Sequence, residues 1–211
     1  MIAPDGIDTD YLRRFKELML SIDKRFVIVC GGGKVCRDYQ KAASILSQAS
    51  DTDLDWIGIK ATKLNAELVR VIFGDEAFER VLDDPEERVK TDKKIIIGSG
   101  FLPGSSSDKD AVLLAKNFGS GSVINLSNIA YVFDKDPSRF DDAKALHRLS
   151  WDELLKITGK EWSPGKNIPF DPAASILAKE AGIRAAIMDG KNLENLKSYI
   201  SGRPFEGTII S

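Results

Sequence analysis

The feature that most constrains the fold of this chain is a set of short, β-branched apolar runs separated by stretches with helical periodicity. The runs fall at 26–30 (FVIVC), 94–97 (KIII), 122–126 (SVINL), 184–188 (RAAIM) and 207–210 (GTII). The first is apolar at every position and ends in glycines, as suits a strand covered on both faces, and such strands belong to parallel sheets. Parallel neighbours need long crossovers, which the intervening segments supply as helices. The apolar spacing predicts helices near 8–22, 34–49, 53–73, 108–118, 151–157, 171–181 and 192–200, the first capped by Asp8. Strands alternating with helices imply the α/β class, as a three-layer α/β/α sandwich with a mainly parallel central sheet.

A chain of 211 residues is long enough to bury about 70% of its unfolded surface. With no internal repeat and no long linker, it is read as one domain, 1–211, with two lobes. The charged stretch 83–94 (DDPEERVKTDKK) reads as a solvated loop, or as a separator of two functional halves. Lys and Arg number 30 against 32 Asp and Glu, a formal charge of −2. No global field attracts nucleic acid or anionic lipid, so any phosphate site must be local. No apolar run approaches the ~20 residues that cross a bilayer, and MIAPDGIDTD carries no signal-peptide core. A cytoplasmic protein without membrane partners is the expectation. Cys30 and Cys36 have five residues between them, which fits neither zinc-ligand pairs nor a redox CxxC. They are expected as buried thiols, with no metal-ligating set.

Chemistry concentrates in segments that follow the strands. In 29–37 (VCGGGKVCR) a strand runs through Gly31, Gly32 and Gly33 into a helix. Glycines permit close backbone approach, a helix N-terminus offers N–H groups to an anion, and Arg37 adds a bidentate cation. A purely structural tight turn remains the competing explanation. In 55–65 (DWIGIKATKLN) Asp55 would accept sugar hydroxyls, or simply be an exposed helix carboxylate, while Gly58 and Ala61 permit close packing. The Gly/Ser segment 98–110 (GSGFLPGSSSDKD) places Ser107 as a helix cap and Asp108 at the first helical position, and offers hydroxyls and a carboxylate to a phosphate-bearing substrate. Segment 125–137 (NLSNIAYVFDKDP) follows a strand at the carboxyl edge of the sheet, where open α/β folds bind ligands. Its Asp134 and Asp136 also suit turns. In 162–172 (WSPGKNIPFDP) Pro164-Gly165 and Pro169 shape a loop from which Lys166 could reach a nucleotide phosphate, and Asp171-Pro172 starts a helix.

Taken in order, these segments resemble the archaeal-type UMP kinases of the amino acid kinase superfamily over nearly the whole chain. GGGKVCR looks like that family's acceptor-phosphate turn, DWIGIKATKLNA like its sugar-contacting helix and PGSSSD like its Thr-Thr-Asp loop. SNIAYVFDKDP is similar to its nucleotide segment, and FDPAASILAKEAGI to its late helix. The resemblance implies a homo-hexameric kinase that uses ATP and Mg²⁺ to phosphorylate UMP to UDP. It implies an acceptor-binding lobe over about 1–118 and a nucleotide-binding lobe over about 119–211. Gly31, Gly32, Gly33 and Arg37 would hold the acceptor phosphate, Asp55 the ribose, and Ser106 and Ser107 the acceptor. Asp108 would be the catalytic organiser, and Asn128, Phe133, Asp136 and Lys166 would contact ATP.

Three departures accompany the resemblance. Ala130-Tyr131 stand where the family has Asp-Gly, and Ser106-Ser107 where it has Thr-Thr. The family also opens with a strand and a Gly-Gly-Ser turn that touches the transferred phosphate, and Met1 stands where that turn has just ended. A start assigned too late, a shortened polypeptide and a lost phosphate loop are the alternatives. The rival functions are a relative acting on isopentenyl phosphate or acetylglutamate, and a non-catalytic nucleotide-binding protein.

Overall fold

A computed structural model describes residues 6–159 and 168–211. It divides into two compact units, 1–118 and 119–211. In the first, the order is α1 (Thr9–Ser21), β1 (Phe26–Val29), α2 (Gly33–Leu46), α3 (Asp51–Phe73), β2 (Ile95–Gly98) and α4 (Ser107–Asn117). In the second, it is β3 (Ser122–Ser127), β4 (Val132–Phe133), β5 (Ala145–Leu146), β6 (Arg148–Leu149), α5 (Trp151–Thr158), α6 (Pro172–Glu180), β7 (Arg184–Asp189), α7 (Leu193–Ile200) and β8 (Thr208–Ile210). Every helix and strand expected from periodicity forms, and the class is mixed α/β.

Local signals explain most boundaries. Asp8 caps α1 by accepting from the Tyr11 N–H at 2.9 Å. Ser50 and Asp53 cap α3 reciprocally, so this helix starts two residues before the expected 53. The same box from Ser150 and Glu153 opens α5, and Asp171 followed by Pro172 opens α6.

In the first unit β1 and β2 run parallel, with Phe26 opposite Ile95 and Val29 opposite Gly98. The strand covered throughout is β2, whereas β1 is half-buried at each position, contrary to the expectation for 26–30. The reason is backbone pairing. On its other edge β2 meets 77–82, where the Phe78 and Leu82 N–H groups donate to the Ile95 and Ile97 carbonyls at 2.8 Å each. Among the described residues β1 has a strand partner on one edge only. Phe78 and Leu82 then pack with Ile96 and Leu114, with Val27, Val29, Val89 and Phe118 against them. The charged stretch after Leu82 forms no helix or strand, but Asn117 ties it down by donating to the Pro85 and Glu87 carbonyls.

The second unit is built on a sheet of order β3-β7-β8-β6, in which β3 and β7 run parallel, β7 and β8 antiparallel, and β8 and β6 parallel. Its centre is β7, buried from Ala185 to Met188. The indole of Trp151 donates to the Ile183 carbonyl at 3.2 Å and packs on Phe170, which seats α5 and α6 at this sheet. The two-residue strands β4 and β5 form a separate antiparallel ribbon. Runs that short carry no readable alternation.

Replacing Leu82, 0% exposed, by Ala is expected to destabilise the protein by about 2–5 kcal/mol. Leu46→Ala, at a residue 84% exposed, is expected to stay within about 0.5 kcal/mol. Denaturant unfolding measures both, and equal effects would place 77–82 outside the core.

Candidate functional site

Two of the three glycines after β1 are required by the backbone, each for its own reason, and the third is not. The Cys30 N–H continues the ladder by donating to the Gly98 carbonyl at 3.1 Å, and the chain then turns. A Cβ on Gly32 would stand 2.5 Å from the Cys36 Cβ in the first turn of α2, which demands glycine there, while the Ala61 Cβ of α3 at 3.6 Å would be in ordinary van der Waals contact. Gly33 has φ +63°, a left-handed conformation that disfavours any side chain. A Cβ on Gly31 would make only van der Waals contact, 3.8 Å from the Ser107 Oγ. Gly31 is exposed, and nothing steric explains it. It is the glycine with room for a ligand.

Gly32 is also the N-cap of α2, with no side-chain cap hydrogen bond. The first-turn N–H groups are therefore not consumed by a capping oxygen, and the positive end of the helix dipole lies at the turn. Arg37, one turn in, is exposed.

One face of α3 holds the surrounding loops. Asn65, buried, donates from Nδ2 to the Gly31 carbonyl at 2.8 Å. The Thr62 Oγ1 accepts from the Gly100 N–H at 2.9 Å, and the Asp55 Oδ2 accepts from the Gly104 N–H at 2.7 Å. Asp55 is thus already a loop anchor. Thr62 and Asn65 carried no sequence assignment. A buried amide and hydroxyl inside a helix otherwise facing a core were the available signal.

The start of α4 differs from expectation by one residue. The cap is Ser106, whose Oγ accepts from the Lys109 N–H at 3.2 Å. Ser107 is the first helical residue and Asp108 the second. Ser106 is thereby committed to the helix, and the hydroxyl beside Gly31 is that of Ser107. Within this unit the structure brings together Gly31 with Ser107, and Gly32 with Cys36. Cys36 also lies within electrostatic reach of Arg37 and Asp55.

Burial works against thiolate formation at both cysteines. Burial pushes the Cys30 thiol up to about 12. Burial also raises Cys36, which is half-buried, against a smaller opposing pull from Arg37. Among the described residues no cluster of three or more His, Cys, Asp or Glu side chains is placed to hold a metal ion.

In the second unit Asn128 is exposed just beyond the carboxyl end of β3, and Phe133 is half-buried in β4. Asp136 serves its own turn. Its Oδ1 accepts from the Ser138 N–H at 2.9 Å and the Ser138 hydroxyl at 2.7 Å, and its Oδ2 lies 3.4 Å from the Arg139 Nε. The Ser138 bonds, with the Arg139 charge a smaller cause, hold the carboxyl below the usual range. Lys166 lies outside the described residues.

The steric distinction has a measurable consequence. Gly32→Ala is expected to cost about 1–3 kcal/mol through the Cys36 clash, and Gly31→Ala to stay within about 1 kcal/mol of the parent. Thermal unfolding compares them, and a Gly31→Ala loss as large as that of Gly32→Ala would make the whole turn structural.

Residues 6–189 match the Amino acid kinase family. The uridylate kinase of Methanobrevibacter smithii is 30% identical over 209 residues, 97% of this chain and 92% of that protein. That of Pyrococcus abyssi is 31% identical over 215 residues, 100% of this chain and 95% of that protein. Among solved structures, the uridylate kinase of Archaeoglobus fulgidus superposes with a TM-score of 0.83 at 30% identity, covering 97% of this chain and 94% of that one. The UMP kinase of Bacillus anthracis, with a TM-score of 0.79 at 20% identity over 98% and 88% of the two chains, shares the fold. With a glycine-capped helix at the end of a parallel strand and a matching sequence over most of its length, the chain belongs to the amino acid kinase family.

Proposed function

We propose that this chain is a nucleoside monophosphate kinase that transfers the γ-phosphoryl group of ATP to UMP, giving UDP and ADP. The observation that carries this is the turn at Gly31–Gly33. It ends a strand, caps α2 without a side chain and presents an unobstructed glycine beside the Ser107 hydroxyl. The archaeal relatives named uridylate kinase, about 30% identical over nearly the whole chain, support UMP as the acceptor.

In the reaction a phosphate oxygen of UMP attacks the γ-phosphorus, the new P–O bond forms, and the bond to the β,γ-bridging oxygen breaks with its electron pair leaving on ADP. The nucleophile is already an anion, so no general base is needed and positioning with charge stabilisation carries the rate. The amides of Gly31–Gly33 and the Arg37 guanidinium hold the acceptor phosphate, while Asp55 takes the ribose. Ser107 hydrogen-bonds the acceptor, and Ser106 keeps α4 in register. Asp108, in the first turn of α4, orients the reacting groups. The unit 1–118 takes the acceptor and the unit 119–211 the ATP, with Asn128, Phe133, Asp136 and Lys166 on the donor side and Asp136 acting by shaping its turn. Mg²⁺ bound with ATP would neutralise part of the triphosphate charge.

A homo-oligomer, hexameric by family resemblance, is part of this proposal. It is supported by large apolar side chains left exposed on α2 (Tyr39, Ile45, Leu46) and α3 (Trp56, Leu64, Val71). Cytoplasmic location is proposed on the same basis as the substrate. Among the described residues no helix is long and apolar enough to cross a membrane.

UDP formation from ATP and UMP tests the activity, and its absence rejects it. Arg37→Ala is expected to raise the UMP KM at least tenfold, through loss of a charge-assisted contact worth about 1.5–3 kcal/mol. An unchanged KM removes Arg37 from the site. Asp108→Asn is expected to lower kcat while leaving the unfolding midpoint unchanged, and retained turnover removes Asp108 from the chemistry.

A further inference from the structure

At the head of β8 the buried side chain of Thr208 joins two strands of the neighbouring ribbon. Its hydroxyl accepts from the Val132 N–H at 2.9 Å and donates to the Leu146 carbonyl at 2.5 Å. Val132 and Leu146 are themselves opposite one another in the β4–β5 pair. The next residues outward, Tyr131 and His147, carry rings that meet edge to face, with centroids 5.0 Å apart and planes at 79°. The backbone beneath His147 is fixed a second time, by the Ile209 N–H donating to its carbonyl at 3.0 Å.

The two rings therefore stand on a hydrogen-bonded frame and keep open surface. His147 is exposed and Tyr131 half-buried. Their place in the sheet is also defined. Tyr131 lies four residues beyond the end of β3, and Thr208 is opposite Ile187, near the end of β7. That is the carboxyl edge of the parallel pair β3 and β7, the edge at which open α/β sheets take ligands. A rigid aromatic corner with open surface is suited to a planar base, which covers ring surface and gains stacking or edge-to-face contact.

We propose that Tyr131 and His147 form the wall against which the purine of the donor nucleoside triphosphate packs, with Thr208 as the residue that positions both. This rests on the assignment of unit 119–211 to the donor. Tyr131 is the specificity-determining contact, because a two-ring base covers more of the corner than a one-ring base does. Thr208 touches no ligand and acts through the backbones of Val132 and Leu146.

Calorimetric titration of the full chain with MgATP and with MgCTP tests the proposal, independently of turnover. Tyr131→Ala is expected to weaken MgATP binding at least fivefold and MgCTP binding less, at an unchanged unfolding temperature, while Tyr131→Phe stays within twofold of the parent. His147→Ala, at an exposed side chain, is expected to weaken MgATP binding at least threefold and carries the test if Tyr131→Ala does not fold. Thr208→Ser, which keeps both hydrogen bonds, is expected to bind as the parent does, and Thr208→Val to bind more weakly. MgATP affinity unchanged in both Tyr131→Ala and His147→Ala overturns the proposal. If the parent makes UDP while that affinity is unchanged, only the aromatic wall is rejected. If the parent binds MgATP through Tyr131 but makes no UDP, the wall stands and the kinase assignment falls.

Discussion

Asp55, Thr62 and Asn65 lie on one face of α3, seven and then three residues apart, and each holds a piece of backbone that local structure would not hold by itself. Gly31 at the end of the first strand, Gly100 after the second and Gly104 at the tip of the following loop all hydrogen-bond to this face. Leaving a buried backbone group unmet costs about 1–3 kcal/mol, a cost that Thr62 removes at the buried Gly100, while Asn65 and Asp55 tether the more exposed Gly31 and Gly104. The small residues between these anchors complete the arrangement. A Cβ on Gly58 would stand 3.3 Å from the Gln40 Nε2 and 3.5 Å from the Cys36 Sγ, and Ala61 is the neighbour nearest Gly32 on α3, so α2 is drawn against α3 with its glycine N-terminus at the loop cluster.

That geometry favours electrostatic work over covalent work. The thiols nearest the turn are raised by burial and stay protonated near neutral pH. In the proposed reaction the helix N-terminus, Arg37 and the hydroxyl of Ser107 would instead supply the dipoles and charge that transfer between phosphates requires. The carboxylates have divided duties. Asp55 anchors a loop, Asp136 closes its own turn with Ser138, and Asp110, buried, accepts from the Ser105 hydroxyl at 3.1 Å.

The helices and the five longer strands were legible because their apolar periods and caps are local signals. Asp8, the Asp171-Pro172 start and the β-branched run at 26–29 needed no knowledge of their neighbours to be read as a cap, a helix start and a strand. What was not legible depended on partners distant in sequence. The run 26–30 looks more buried than it is, because its neighbours decide its exposure. The segment 77–82 pairs with β2 through only two isolated bridges and has no strand-like alternation. Glycines 31 to 33 were legible as a turn, but only the Cys36 contact and the positive φ separate the two that the backbone needs from the one it does not. The Ser106 cap was misplaced by one residue because Ser105, Ser106 and Ser107 are equivalent as letters, and Asn65 and Thr62 gained roles only when the loops they hold were in place.

The central claim is that the backbone amides of Gly31–Gly33 receive the acceptor phosphate. Titration of the ¹⁵N-labelled protein with UMP, followed by amide chemical shifts and compared with uridine, tests this directly. The predicted result is a set of large shifts at Gly31, Gly32, Gly33 and the first turn of α2 that uridine, lacking the phosphate, does not produce. UMP binding that leaves those amides unmoved, or that uridine reproduces in full, would contradict it.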